Sequence, residues 1–460
     1  MCKGRIFSTL GQWCLAMAMT GVQAMAWGQT STDPGPNARP PVVGEVTYSR
    51  GVGFAQLPGA SPRTLGAGLP LMQGDRLTTA AGASAILKLS DGTRMTLRPQ
   101  TELVLEQFRF SPDAPDNNML LQLLRGGLRT LTGLVSKNND KAARIRTPVA
   151  TIGIRGTDFD ARLCADDCVQ EVRAVTDQPR SAHLKASAKA VAVQGDITVE
   201  GLNGERRHVV HGTSVYPGDL VETGPNARVV LAFRDESKVS LGSTTRFKVE
   251  DFVFDRNNPA DGRFLVSLLK GTVRALTGLI GKTQARNVGF KTPTATIGIR
   301  GTGLDMACDD AGCGFFNWLG SITVTPEGHS ALQVLEAGQG LYVSGSGVRA
   351  LPALPLPDVP RPDGVDIDLA PLFMTQGVDE SQWGLYVLMR DGHIELFSDR
   401  QTVHLGRGEL GLAQGDGRVL RPVHVPRFMD LDPMPLPNSS HPLLSSVLGE
   451  AGVRSLNQCR

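Results

Sequence analysis

Two nearly identical stretches decide the fold: TPVATIGIRGT at residues 147–157 and TPTATIGIRGT at residues 292–302. The second begins 145 residues after the first, and the preceding segments, LLRGGLRTLTGL at 123–134 and LLKGTVRALTGL at 268–279, repeat at the same spacing. Self-similarity of this kind indicates a duplicated structural unit. The chain of 460 residues is long enough for two such units and a smaller additional segment.

The repeat also extends upstream of these segments. Asp75 corresponds to Asp219, and Asp91 corresponds to Asp235, each at a spacing of 144 residues. In the G-I-R-G-T segments an arginine lies between two glycines, where a guanidinium can bond several carbonyls at a turn. The repeat-motif residues to which we assign a structural role are Asp75, Asp219, Arg155, Gly156, Arg300 and Gly301.

Within each copy, apolar residues recur at every second position, the period of a strand with one buried face. Ala85, Leu87 and Leu89 alternate with polar residues, and Asp91-Gly92 then marks a turn. The chain has 53 Gly and 29 Pro but only 5% aromatic residues, which favours short strands and many turns. The leucine-rich LLRGGLRTLTGL could be mistaken for a helix, but its glycines favour a strand.

These patterns predict an all-β protein with two tandem solenoid-like or rolled β-sheet domains and a smaller C-terminal β segment. Lys3 and Arg5, the uncharged stretch that follows and the ending Ala24-Met25-Ala26 are typical of a secretory signal peptide. An uncleaved membrane anchor is the alternative. The predicted segments are a signal peptide (1–26), a linker (27–41), a first β domain (42–190), a second β domain (191–350), a Pro-rich linker (351–375), the C-terminal β segment (376–432) and a flexible tail (433–460).

The sequence gives little sign of catalysis. It lacks the H-E-x-x-H, G-x-S-x-G and P-loop patterns, and its G-x-G-x-x-A match at 345–350 precedes prolines rather than a helix. His208 and His211 would face opposite sides of a strand, which disfavours a shared metal ion. The acidic loops at 113–116 and 255–261 are interpreted as solvated turns. We therefore predict no enzyme activity, no catalytic or cofactor-binding residue, no cofactor and no metal ligand.

Four cysteines form two close pairs, Cys164 with Cys168 and Cys308 with Cys313, each just after a G-I-R-G-T strand. Export to an oxidising compartment favours disulfides, and the short loops predict that each bond closes a hairpin. A four-thiolate zinc site shared by the copies is the alternative. Cys459 then has no predicted partner within the chain.

The T-P-x-A-x-x-G-x-R-G-T segments, the Gly-Asp turns followed by threonines and V-L-E-A-G-Q-G at 334–340 resemble the FecR domain family of bacterial envelope proteins. The resemblance covers roughly 42–343 and, less specifically, 384–428. It implies a periplasmic β module that senses or binds partners. Founding members of the family also have a cytoplasmic arm that acts on a sigma factor. Only five residues precede the apolar segment here, so we do not expect sigma-factor regulation.

Sequence and resemblance together predict a non-catalytic exported protein that acts as a binding or sensing scaffold in the envelope of a Gram-negative bacterium. We expect it in the periplasm or secreted, with no membrane span after signal cleavage. The expected partner is an envelope protein or a glycan, because 47 basic against 45 acidic residues disfavour nucleic acid. A purely structural component of an envelope or secretion assembly is the alternative.

Overall fold

The structure is a computed structural model that describes residues 40–138, 141–174, 178–182, 185–328, 332–429 and 437. Apart from Pro40, these residues belong to one compact unit, Pro41–Arg460. The predicted signal peptide and Cys459 lie outside the described residues. So do residues 27–39 of the predicted linker and, except for Pro437, the predicted tail.

The first copy is a sheet of mostly short strands with alternating burial. Its elements are β1 (Val42–Arg50), β2 (Gly53–Gln56), β3 (Arg63–Thr64), β4 (Pro70–Met72), β5 (Arg76–Thr79), β6 (Ser84–Leu89), β7 (Arg94–Leu97), β8 (Glu102–Arg109), β9 (Asn118–Leu131), α1 (Leu134–Asn138), β10 (Ala143–Arg146), β11 (Thr151–Cys164) and α2 (Asp166–Ala174). In β6, Ala85 and Leu87 are fully buried while Lys88 is exposed, because successive side chains point to opposite faces.

The second copy repeats this pattern and adds a hairpin. The next elements are β12 (Arg180–Ser181), β13 (Ala188–Gln194), β14 (Ile197–Glu200), β15 (Arg206–His208), β16 (Ser214–Val215), β17 (Leu220–Thr223), β18 (Arg228–Phe233), β19 (Lys238–Leu241), β20 (Arg246–Val253), β21 (Arg263–Leu276), α3 (Leu279–Thr283), β22 (Val288–Lys291), β23 (Ala295–Cys308), β24 (Gly312–Pro326), β25 (Gln333–Glu336), β26 (Gln339–Ser344) and β27 (Gly347–Ala350). The chain is therefore all-β with two similar tandem units, as predicted.

The two sheets share one strand order: β3-β2-β5-β8-β9-β10-β11 in the first copy and β15-β14-β17-β20-β21-β22-β23 in the second. The leucine-rich segments lie in β9 and β21, strands of 14 residues each, which confirms the strand prediction. Each long strand pairs in parallel with the short strand that follows helix α1 or α3.

Strands from the C-terminal part of the chain complete the first sheet. The last elements are α4 (Ala370–Phe373), β28 (Gly384–Phe397), β29 (Thr402–Leu405), β30 (Leu410–Ala413), β31 (Val419–Leu420) and β32 (His424–Val425). Strand β23 pairs with the next strand, β24, whereas β11 pairs with β28 along its whole length. The strands of the predicted C-terminal β segment thus extend the first sheet.

The Pro-rich linker lies along the second copy. Leu356 and Val359 are buried, Arg274 donates to the carbonyl of Val359, and Lys238 donates to the carbonyl of Val365. The linker is therefore packed against the second copy and connects the end of the second sheet to the strands that complete the first.

Each copy has its own large hydrophobic core, and the first core includes the buried face of β28. A third, smaller core contains Cys164, Cys168, Tyr386 and Phe428. Among the described residues, no helix has the length and apolar character needed to span a membrane.

Both predicted cysteine pairs are disulfides, but only one closes a hairpin. Cys308 and Cys313 face each other across β23 and β24, with Cα atoms 4.2 Å apart. Cys164 ends β11 and bonds Cys168, which lies in helix α2, so the hairpin prediction is wrong for the first copy. The reason is that β11 pairs with β28, while Asp166 and Asp167 provide the acidic first turn that favours a helix start.

Candidate functional site

The repeated aspartates fix the same turn in both copies. Asp75 accepts hydrogen bonds from the Arg63 guanidinium at 2.5 Å and from the backbone N–H of Met72 at 2.7 Å. Asp219 accepts from Arg207 at 2.6 Å and from the N–H of Tyr216 at 2.9 Å. Both carboxylates are buried, and each accepts a charge-assisted hydrogen bond from an arginine of its own sheet.

A second pair of aspartates ties the β6–β7 and β18–β19 turns to the long strands. Asp235 accepts from the N–H and hydroxyl of Ser237 at 3.1 and 2.8 Å, and the Ser237 hydroxyl accepts from the N–H of Gly278. Asp91, Thr93 and Gly133 make the same three bonds in the first copy. Burial raises the pKa of Asp235 above its usual value, against the hydrogen bonds from Ser237.

The arginine of the first G-I-R-G-T segment points to the C-terminal strands. Arg155 lies 2.5 Å from the carboxylate of Glu395 on β28. Gly156 and Gly301 have φ angles of +62° and +60°, at the places where β11 and β23 shift register. The side chain of Arg300 lies outside what the structure describes.

A buried polar cluster joins the second copy to the C-terminal strands. Lys189 on β13 donates to Ser214 at 3.1 Å, to the carbonyl of His404 at 2.9 Å and to Glu409 at 3.0 Å. Arg421 donates to Glu409 from the other side at 3.3 Å. Burial lowers the pKa of Lys189 to about 8, although Glu409 opposes the shift. We call these residues the inter-copy cluster.

Three histidines lie beside this cluster. His393 Nε2 is 3.3 Å from His404 Nδ1, and Glu395 Oε1 is 3.9 Å from the same nitrogen. The ring of His211, from the second copy, meets the His404 ring edge-on at 5.0 Å between centroids. Burial lowers the pKa of His404 to about 3 and that of His393 well below its usual value, so both imidazoles are neutral at neutral pH.

A separate open groove of about 1120 Å³ lies between the second copy and the linker. We call it the linker groove and define it by Arg234, Lys238, Phe254, Leu319 and Met374. Leu319 is 48% exposed and Met374 57% exposed, which is high for large apolar side chains. The ionisable residues that line the groove are Arg234, Lys238, Arg256, Lys282, Glu236, Asp255 and Asp368.

Arg234 is a partly buried cation of the groove. Its Nε is buried without a hydrogen-bond partner among the described residues, and its guanidinium lies 5.5 Å from the Phe252 ring centroid. Burial lowers its pKa, because the low-dielectric surroundings disfavour the charged form. The first copy has Ser90 at this position, so the cation is particular to the second copy.

Glu236 follows at the tip of the same turn in an unfavourable backbone conformation. Its φ angle is +71°, where the first copy has Gly92 at +87°. A residue with a Cβ avoids this region unless the surroundings hold it there. Its carboxylate pairs with Arg256 at 3.1 Å, and both residues line the groove.

The family comparison agrees with the repeated geometry. The model of the FecR protein family matches residues 75–176 and 219–314. The chain contains two FecR domains. The matched regions begin at Asp75 and Asp219, and each FecR domain continues through its G-I-R-G-T strand.

The comparisons with curated proteins and with solved structures add no further assignment. A search of curated proteins found no match. Two crystal structures of an anti-sigma factor candidate from Parabacteroides distasonis are 14% identical to this tandem FecR protein, with a TM-score of 0.24. The match covers 29% of this chain and 59% of that one.

Sequence reasoning missed the polar groups between the FecR domains. It did not single out His393 or His404, yet Glu395 and His404 are direct partners across β28 and β29. The alternation His393-x-Glu395 was a usable signal, because residues two apart in a strand share a face. The contact with His211 had no sequence signal, since it depends on how the second FecR domain packs against the C-terminal strands.

Proposed function

We propose that this protein is a non-catalytic FecR scaffold of the Gram-negative cell envelope that binds an extended segment of a protein partner in the linker groove. The two disulfides support export, because such bonds persist in oxidising compartments and are rare in the cytosol. The signal peptide predicted from Lys3, Arg5 and the A-x-A ending agrees with this compartment.

Arg234 at the groove carries the proposal. Its guanidinium is partly buried and its Nε has no hydrogen-bond partner among the described residues, so it would gain from a carboxylate bound in the groove. The exposed Leu319 and Met374 offer apolar contact in the same groove. A segment with an acidic side chain and neighbouring apolar ones matches this combination.

The volume of the groove and its lining favour a polypeptide over a glycan. A volume of 1120 Å³ exceeds the roughly 300–1,000 Å³ of ordinary small-molecule pockets. Among its described lining residues, Phe254 and Phe373 are the aromatic ones, and neither carries a polar group that could orient a sugar. The strained backbone at Glu236 also lies here, as is common where a loop serves a ligand.

Site-specific photo-crosslinking in envelope extract tests the proposal. A crosslinker at Met374 should capture a protein partner, and the variant Arg234→Ser, which restores the residue of the first FecR domain, should weaken the capture. A crosslinker at Leu202, which is 78% exposed and outside the groove lining, is the matched control. Equal capture at Leu202 and Met374, or no effect of Arg234→Ser, would contradict the groove as the binding site. Crosslinks only between copies of this chain would support the structural alternative.

A further inference from the structure

We propose that His393, Glu395 and His404 form a site for a divalent transition-metal ion of the zinc class. The candidate ligand atoms of these three residues lie within 4.8 Å of one another. Two imidazoles and a carboxylate are a ligand set that zinc accepts. This site is separate from the linker groove and does not depend on the proposed function.

The spacing of the two nearest ligand atoms fits a tetrahedral ion. Ligands held about 2.0–2.1 Å from zinc in a tetrahedron are about 3.3–3.4 Å apart. His393 Nε2 and His404 Nδ1 are 3.3 Å apart. Glu395 Oε1 lies 3.9 Å from His404 Nδ1, and all three ligand atoms are within 4.8 Å, so the carboxylate must move closer to both imidazoles to bind an ion with them.

The two imidazoles present one nitrogen each to the same point. Both rings are buried, and His393 Nε2 faces His404 Nδ1. His393 Nδ1 is buried and has no hydrogen-bond partner among the described residues. An ion bound at Nε2 leaves the proton on Nδ1 without an acceptor, which makes the site weaker than one whose second ring nitrogen is hydrogen-bonded.

His211 of the second FecR domain lies at the edge of the site, with 5.0 Å between its ring centroid and that of His404. Its Nδ1 donates to the carbonyl of Val191 at 2.9 Å, which fixes the ring. Gly212, with φ of +80°, lets this turn approach closely, since a Cβ there would lie 2.1 Å from the His404 ring. His211 is exposed, which gives the ion a route from solvent.

Three cations oppose the ion and make the proposal sharply testable. Arg155 pairs with the carboxylate of Glu395, and Lys189 and Arg421 both donate to the carbonyl of His404. A metal ion must therefore compete with Arg155 for Glu395. Removal of the guanidinium should tighten metal binding, whereas removal of His404 should weaken it.

The experiment uses the tag-free, full-length exported chain, dialysed against chelator and titrated with Zn²⁺ by calorimetry. Co²⁺ serves as the spectroscopic probe, because its visible absorption is strong only in a tetrahedral site. We expect one ion per chain, at least about ten-fold weaker binding in His404→Gln and tighter binding in Arg155→Gln. The exposed His208, whose partner is Asp196, is the control site, and His208→Gln should bind as the wild type does.

Glu395→Gln covers the case in which His404→Gln fails to fold, because it keeps the shape of a partly exposed side chain. It should remove the tetrahedral Co²⁺ spectrum. Absence of a stoichiometric ion would overturn the proposal. So would binding that none of the His404, Glu395 and Arg155 variants changes, because that result would place the ion elsewhere on the chain.

Discussion

Lys189 Nζ lies 3.0 Å from the carboxylate of Glu409, and neither side chain is more than 1% exposed. The two residues are 220 positions apart and belong to the second FecR domain and to the strands that complete the first. A buried ion pair is tolerated only when its remaining hydrogen-bonding capacity is satisfied. Ser214, the carbonyl of His404 and Arg421 meet this requirement.

Replacing Lys189 by Met should destabilise the protein by about 3–5 kcal/mol, because Glu409 would remain buried with one fewer cation. Chemical denaturation measures the change. The surface pair Lys270–Asp310 is the control, and Lys270→Met should cost at most about 1 kcal/mol because both side chains are largely exposed. An equal loss of stability in the two variants would mean that water reaches Lys189 and that the inter-copy cluster is not buried.

The backbone at Glu236 predicts a stabilising substitution. Glu236→Gly should raise the free energy of unfolding by about 1 kcal/mol, because glycine adopts the observed φ of +71° without steric cost. The lost ion pair with Arg256 is exposed and contributes little. The reverse change in the first FecR domain, Gly92→Glu, should destabilise by a similar amount. A destabilised Glu236→Gly variant would show that the carboxylate of Glu236 stabilises the fold by more than its unfavourable φ angle costs.

The raised pKa of Asp235 predicts a dependence on pH. Above its ordinary value of 3.8, the unfolded chain loses a proton that the folded chain still holds. The contribution of Asp235 to stability is therefore largest at acid pH and is lost as pH rises through the folded-state pKa. The stability of the wild type relative to Asp235→Asn should fall as pH rises above 3.8. A difference that grows as pH rises would show that the pKa is lowered instead.

The duplication made most of the fold predictable from the sequence. The period of two in β6, the turn at Asp91 and the repeat of T-P-x-A-T-I-G-I-R-G-T are local signals, so they gave the all-β class and the tandem units. The glycines of LLRGGLRTLTGL were enough to choose strand over helix. In each case a few neighbouring residues determine the local secondary structure.

What the sequence could not show depends on distant pairing. Nothing near β11 indicates that its partner is β28, because the second copy forms the equivalent pair with an adjacent hairpin. The error at Cys168 has the same origin, since a cysteine four residues after Cys164 fits a hairpin or a helix equally well. Lys189 and Glu409 also look like ordinary surface charges until the two elements that carry them are packed together.

The long-range pairing of β28 leads to a last prediction about fragments of the chain. Leu385, Val387, Met389, Ile394 and Leu396 of this strand are all at most 1% exposed and belong to the core of the first FecR domain. Burial of each such side chain contributes about 1.5–3 kcal/mol, so the loss of all five is comparable to the whole stability of an ordinary domain, about 5–15 kcal/mol. A fragment of residues 40–362 should therefore contain an unfolded or aggregating first FecR domain.

The second FecR domain should behave differently, because β24 supplies its equivalent strand from within. A fragment of residues 185–362 keeps that core and the linker contacts of Leu356 and Val359. Lys189, freed from Glu409, would return to solvent and leave no buried charge unpaired. Near-ultraviolet circular dichroism and limited proteolysis of both fragments check this asymmetry: the shorter one should unfold cooperatively, and the longer one should lose its first half to protease. Cooperative folding of the first FecR domain without residues 376–429 would show that β28 is an addition to that domain and not part of its core.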